Sequence, residues 1–150
     1  MKNIGKQGIV LGSIFLLLLA MPMVGMAKLS VTRVLIEGRE NPLGINTLKP
    51  SFSWQLHSDK YDVRQQAYRI EVSKSVRFAK QDLLWDSQWV LTEQALNLLY
   101  KGNPLTSGTS YYLRVQVRDN KKETATSAVQ RFHTGLLNAE DWGNARWIAK

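Results

Sequence analysis

Three runs of regular alternation constrain this chain more than any other feature. Phe52, Trp54 and Leu56 alternate with Ser51, Ser53, Gln55 and His57. Tyr68, Ile70 and Val72 alternate with Arg69, Glu71 and Ser73, and Tyr111, Leu113, Val115 and Val117 with Tyr112, Arg114, Gln116 and Arg118. Successive side chains of an extended strand point to opposite faces, so each run predicts a strand with one buried and one solvated face. Weaker runs at residues 31–37, 96–100 and 127–134 predict further strands, with Phe132 the expected buried member of the last.

Turn chemistry separates the runs: Asn41-Pro42-Leu43-Gly44, residues 57–64, Gly102-Asn103-Pro104 and Asp119-Asn120-Lys121-Lys122. Residues 76–84 place charges between apolar side chains and are read as a short helical turn before Trp85-Asp86-Ser87. About seven short strands with no strand–helix–strand alternation predict an all-β, seven-stranded antiparallel sandwich, with a barrel as the alternative. The stretch Leu105-Thr106-Ser107-Gly108-Thr109-Ser110-Tyr111-Tyr112-Leu113-Arg114-Val115 resembles the fibronectin type III pattern that leads into the sixth strand. That likeness implies an immunoglobulin or fibronectin type III-like sandwich. Tyr111 would be its corner tyrosine, bonding back to the upstream backbone, and Trp54 a buried indole on its second strand.

Three segments are expected. Residues 1–27 have the layout of a secretory signal peptide: Lys2 and Lys6, an apolar stretch from Ile9 to Ala20, and Gly25-Met26-Ala27 as a small-x-small cleavage site. A membrane anchor is the alternative, although a span needs about 20 apolar residues. Residues 28–137 form the sandwich, and residues 138–150 a linker into a further β-domain. The expected location is therefore exported, periplasmic or extracellular, with no stable membrane insertion after cleavage. The chain contains no cysteine, so neither disulfides, thiol catalysis nor thiolate metal ligation is available. Cleavage would remove Lys2 and Lys6 and lower the formal charge by two, from +8 to +6. That surplus is spread out, with Lys121-Lys122 the one Lys/Arg doublet after residue 27, and gives no clustered stripe for nucleic acid.

An ordered set of motifs extends the likeness. Glu37 is followed by Asn41-Pro42-Leu43-Gly44-Ile45, Pro50-Ser51-Phe52-Ser53-Trp54, Arg64-Gln65-Gln66-Ala67-Tyr68-Arg69-Ile70 and Leu84-Trp85-Asp86-Ser87. After these come Tyr100-Lys101-Gly102, Phe132-His133-Thr134-Gly135-Leu136-Leu137, Asp141-Trp142 and Trp147-Ile148. Together they resemble the N-terminal fibronectin-like domain of bacterial α-L-rhamnosidases, glycoside hydrolases of the family 78 type. Leu113 and Arg118 stand where that family often carries tryptophan, and Gln88-Trp89 where glycine then lysine is common. These departures bear on the outer-face contacts of the strand. In such enzymes the bond-cleaving carboxylates belong to a helical barrel far downstream. The resemblance therefore implies a signal, a first accessory domain and a linker, with the downstream domains of a parent enzyme as partners.

Glycoside cleavage needs two carboxylates about 5–9.5 Å apart, one with a raised pKa. The acidic pairs available, Asp82 with Asp86 and Glu140 with Asp141, lie among polar residues and are read as solvated surface carboxylates. His57 and His133 fall on polar phases or strand ends, and Ser107-Gly108-Thr109 lacks the elbow of hydrolases, so no catalytic, metal or cofactor residue is assigned. Tryptophan leaves a binding role open, because an indole can stack on the apolar face of a sugar. Trp85 and Trp89 are expected to pack at the sheet edge, and Trp142 and Trp147 to dock against a following domain. The alternative for all four is a module that binds rhamnose-containing polysaccharide.

Overall fold

The structure, a computed structural model, describes residues 29–145. The leader assigned to residues 1–27, and Trp147-Ile148, lie outside the described residues. Among the described residues ten strands form: β1 Ser30–Ile36, β2 Leu43–Ile45, β3 Ser51–His57, β4 Gln65–Ser73, β5 Leu83–Asp86, β6 Val90–Leu91, β7 Leu98–Leu99, β8 Ser110–Asp119, β9 Thr124–Thr126 and β10 Gln130–Thr134. Single 3-10 turns occupy Lys80–Asp82 and Ala139–Trp142. Among the described residues there is no α-helix, and no helix is long and apolar enough to cross a membrane.

Two sheets stack face to face. The smaller has the order β1-β3-β7; the larger runs β2-β10-β8-β4-β5, with β6 also on β4 and β9 also on β8. The protein is thus the expected β-sandwich, with ten strands in place of seven. The additional ones, β2, β6 and β9, are two or three residues long and arise where connecting segments run beside a longer strand and satisfy its free N–H and C=O groups. All pairings are antiparallel except β2 with β10, which run parallel because the chain crosses from the smaller sheet to the larger one after β1.

The alternating runs supply the core. Phe52, Ile70, Val72, Leu113, Val115, Val117 and Phe132 are fully buried, with Trp54, Tyr100 and Tyr111 nearly so. Phe52 has Trp85, Tyr100 and Phe132 as ring neighbours, each at 6.4 Å between centroids, and Trp54 meets Tyr68 edge-on at 5.4 Å. Tilted and edge contacts of this kind suit the ring quadrupoles better than flat stacks. The corner tyrosine is present: the Thr106 N–H donates to Tyr111 Oη at 2.8 Å while the ring packs against Phe132. Leu113 faces the core, so of the two departures in β8 only Arg118 bears on the outer face, where its guanidinium lies 4.5 Å from the Trp89 ring centroid.

On the polar phase of β4, Glu71 and Ser73 are buried, contrary to the expectation of a solvated face. The connection from β4 to β5 folds back over this end of the sheet: Ser73 Oγ donates to the Asp82 carbonyl, Lys74 N–H donates to the same oxygen at 2.9 Å, and Arg114 lies over the Phe78 ring. Glu71 is held there by Arg114 Nη2 at 2.6 Å, with Arg69 Nη2 at 3.6 Å. The two guanidinium groups offset the cost of burying a carboxylate beneath such a cover.

Candidate functional site at the open edge of the sandwich

The two sheets part where β5 and β6 of the larger sheet face β7 of the smaller one. An open groove of about 500 Å³ lies in the gap. Its aromatic members are Tyr68, turned inward by the phase of β4, and Trp85 on the edge strand β5; Val90, Leu98 and Leu99 add aliphatic surface. Trp85 meets Tyr100 edge-on at 5.2 Å and stacks at a tilt on Phe52, so its ring is held from the core side. Gly102 permits that arrangement, because a Cβ there would overlap Tyr100 Oη and lie 2.8 Å from Trp85 Cβ.

The polar members of the groove differ in how far the fold already uses them. Asp86 is fully engaged: Arg69 Nε and Nη2 donate to its two oxygens at 2.9 and 2.6 Å, and Gln88 donates from its backbone and side-chain nitrogens. Hydrogen bonding from Arg69 above all holds this carboxyl below the usual carboxylate range, against the opposing effect of burial. Ser87 Oγ accepts from Ile70 N–H and donates to the Gln88 carbonyl. By contrast, the Tyr68 hydroxyl, the Asn97 side-chain amide and the Lys101 ammonium make no hydrogen bond among the described residues. Tyr68 is only 8% exposed, and its burial pushes the phenol up from its ordinary pKa.

The other residues singled out in the sequence are scattered. Asp82 closes a 3-10 turn, whereas Asp86 is a largely buried ion-pair member and not the solvated carboxylate expected; its side chain is 12% exposed. Asp141 caps the last turn, accepting from Leu137 N–H at 3.0 Å and Asn138 N–H at 2.8 Å. Hydrogen bonding from the Ser107 hydroxyl and from these N–H groups lowers its pKa. Glu140 is exposed beside it. His57 pairs with Asp59 on an exposed loop, while His133 Nδ1 lies 3.0 Å from Ser110 Oγ on the other sheet, so the two imidazoles belong to separate places. Ser107 Oγ accepts from Leu137 N–H, and among the described residues no three metal-capable side chains gather. Trp85 and Trp89 pack at the sheet edge as expected, and Trp142 is 55% exposed. The groove itself escaped the sequence reading, although an inward-phase tyrosine whose hydroxyl needs a partner was a signal for it.

Residues 31–138 match the family described as the Rha78A-like, N-terminal immunoglobulin domain. An α-L-rhamnosidase of Formosa agariphila is 38% identical over 114 residues, covering 75% of this chain and 12% of that protein. One from Streptomyces avermitilis is 33% identical over 125 residues, covering 83% and 12%. The crystal structure of the Streptomyces avermitilis α-L-rhamnosidase complexed with L-rhamnose superposes with a TM-score of 0.73 at 32% identity, over 77% of this chain and 11% of that one. The α-L-rhamnosidase from Dictyoglumus thermophilum gives 0.71, also at 32% identity, over 76% and 13%. The chain therefore spans only a small fraction of the length of these relatives.

Proposed function

The chain belongs to the family of Rha78A-like N-terminal immunoglobulin domains, and from that membership we propose that it is a non-catalytic accessory module that docks and spaces the downstream domains of an exported α-L-rhamnosidase-like glycoside hydrolase. The observation that carries this reading is an apolar surface held rigidly where the sandwich ends. Leu136 and Trp142 are about half exposed and Leu43 is 80% exposed. β2 and the segment after β10 lie side by side, joined by the Gly135 N–H to the Ile45 carbonyl at 2.8 Å. Asp141 and Ser107 fix the last turn onto the sandwich, so Trp142 is presented on a defined support. Exposed apolar side chains on the segments that end the sandwich suit a contact surface.

Bond cleavage has no place in this reading. Asp86 serves as an ion-pair member and Asp141 as a cap, and both carboxyls are held below the usual range, the opposite of what a general acid requires. Export through a leader at residues 1–27 belongs to the same proposal and rests on the sequence pattern alone. The test joins the chain to the downstream domains of a rhamnosidase relative and compares thermal midpoints with those domains alone. The expected result is a higher midpoint that Trp142→Ala lowers; equal midpoints with and without the chain would overturn the proposal.

A further inference from the structure

The groove between β5, β6 and β7 has features that interdomain docking leaves unused. Its aromatic floor is rigid, since Trp85 is held by Phe52 and Tyr100. Beside that floor stands Tyr68, a largely buried side chain whose hydroxyl is open to solvent and has no protein hydrogen-bond partner among the described residues. A hydroxyl that no protein group engages can exchange its water for a polar ligand atom, and would lose that water without replacement beneath an apolar one. The volume of about 500 Å³ lies within the range of about 300–1,000 Å³ typical of small-molecule sites.

The lining also restricts the chemistry of the occupant. Val90, Leu98 and Leu99 with the indole offer an apolar surface, while Tyr68 and Asn97 offer uncommitted donors and acceptors. An amphipathic ring with one C–H face and a periphery of hydroxyls meets both demands; a purely apolar ligand would leave Tyr68 unpaired, and a purely polar one would waste the floor. Asp86 is neutralised by its two bonds from Arg69, so it neither attracts a cation nor repels a neutral ligand strongly. Lys101 is an exposed cation at the rim, where solvent screens it.

We propose that this groove binds a single neutral sugar ring, its C–H face against Trp85 and one hydroxyl bonded to Tyr68 Oη. The site is separate from the apolar surface around Trp142, and the inference stands whether or not that surface docks a domain.

The test is a two-dimensional NMR titration of the full chain with L-rhamnose, D-glucose and D-galacturonate, each up to about 50 mM, the concentration range of a weak single-ring site. The expected result is saturable perturbation of the Trp85 indole and of residues 90–99 by a neutral sugar, with the Trp142 indole unmoved. Tyr68→Phe removes only the unpaired hydroxyl, keeps the ring in the core, and should weaken binding about fivefold. Leu99→Glu, a change at an exposed groove position, should weaken binding further without unfolding the chain. No perturbation by either neutral sugar, tighter binding of the uronate, or unchanged affinity in Tyr68→Phe would each overturn the proposal.

Discussion

The indole N–H of Trp54 donates to Gln65 Oε1 at 2.9 Å and so ties the smaller sheet to the larger one where β4 begins. Gln65 is itself buried, and its amide nitrogen donates to the carbonyls of Thr92 and Gln94, at 3.2 and 2.7 Å. One glutamine thus anchors the core tryptophan and the crossing segment between β6 and β7. Gln65→Ala would leave the indole N–H and both carbonyls short of partners. We expect it to lower unfolding free energy by about 2–3 kcal/mol in urea denaturation, since each buried unsatisfied group costs about 1–3 kcal/mol. A loss too small to resolve would show that the bond is not structurally important.

Gly102 and Tyr100 form a second pair open to test. Gly102→Ala drives a methyl group into the Tyr100 hydroxyl, and overpacking of this kind costs about 1–3 kcal/mol. Tyr100→Phe removes the obstructing oxygen, which is buried without a partner, and should be neutral or slightly stabilising alone. The double variant should therefore recover part of the Gly102→Ala loss. Strict additivity in a double-mutant cycle would count against the clash.

The same tyrosine sets an alkaline limit. Burial pushes its phenol up to about 12 from an ordinary value of 10.0. Between those values the unfolded chain has released its proton while the folded chain retains it, so stability is full below about pH 10 and falls as pH rises toward about 12. Tyr68 shifts in the same direction through burial and adds to the slope. Tyr100→Phe should flatten the decline in denaturation midpoints measured across this window; an unchanged slope would exclude Tyr100 as its source.

Asp86 acts at the acid end. Its pKa is lowered from 3.8 by Arg69, so its contribution to stability is present above that value and is lost as pH falls through the depressed one. Arg69→Met leaves a largely buried carboxylate without its main donor. It should weaken the fold at neutral pH and reduce the acid-dependent loss relative to the parent chain. Parallel stability curves for the two proteins between about pH 2 and 6 would refute this.

Tyr111→Phe leaves the Thr106 N–H without its acceptor while preserving the ring against Phe132. The expected loss is about 1–2 kcal/mol, with faster amide exchange at Thr106 as the local signature. Full protection at Thr106 in the variant would mean that the corner bond does little.

Much of this architecture could be read from residues alone. Alternation placed Phe52, Trp54, Ile70, Leu113 and Val115 inside, and the motif around Tyr111 correctly anticipated its bond to the upstream backbone. Alternation describes the two faces of one strand, however, and carries no information about what later covers the outer face. Glu71 and Ser73 were read as solvated for that reason, until the loop bearing Phe78 closed over them. Asp86 was misread similarly, because its partner Arg69 lies on a neighbouring strand 17 residues away. The groove is still less accessible to sequence, since it arises from the separation of two sheets and belongs to no single segment.

The outermost strands carry a consequence for behaviour at high concentration. The larger sheet ends in three residues of β2 on one side and four of β5 on the other; the smaller ends in two residues of β7 and in β1, whose register is broken between Thr32 and Leu35. None offers a long, flat ribbon of unpaired amides to a second copy. Sandwiches that join end to end into fibres need such a template, and brevity together with an interrupted register withholds it.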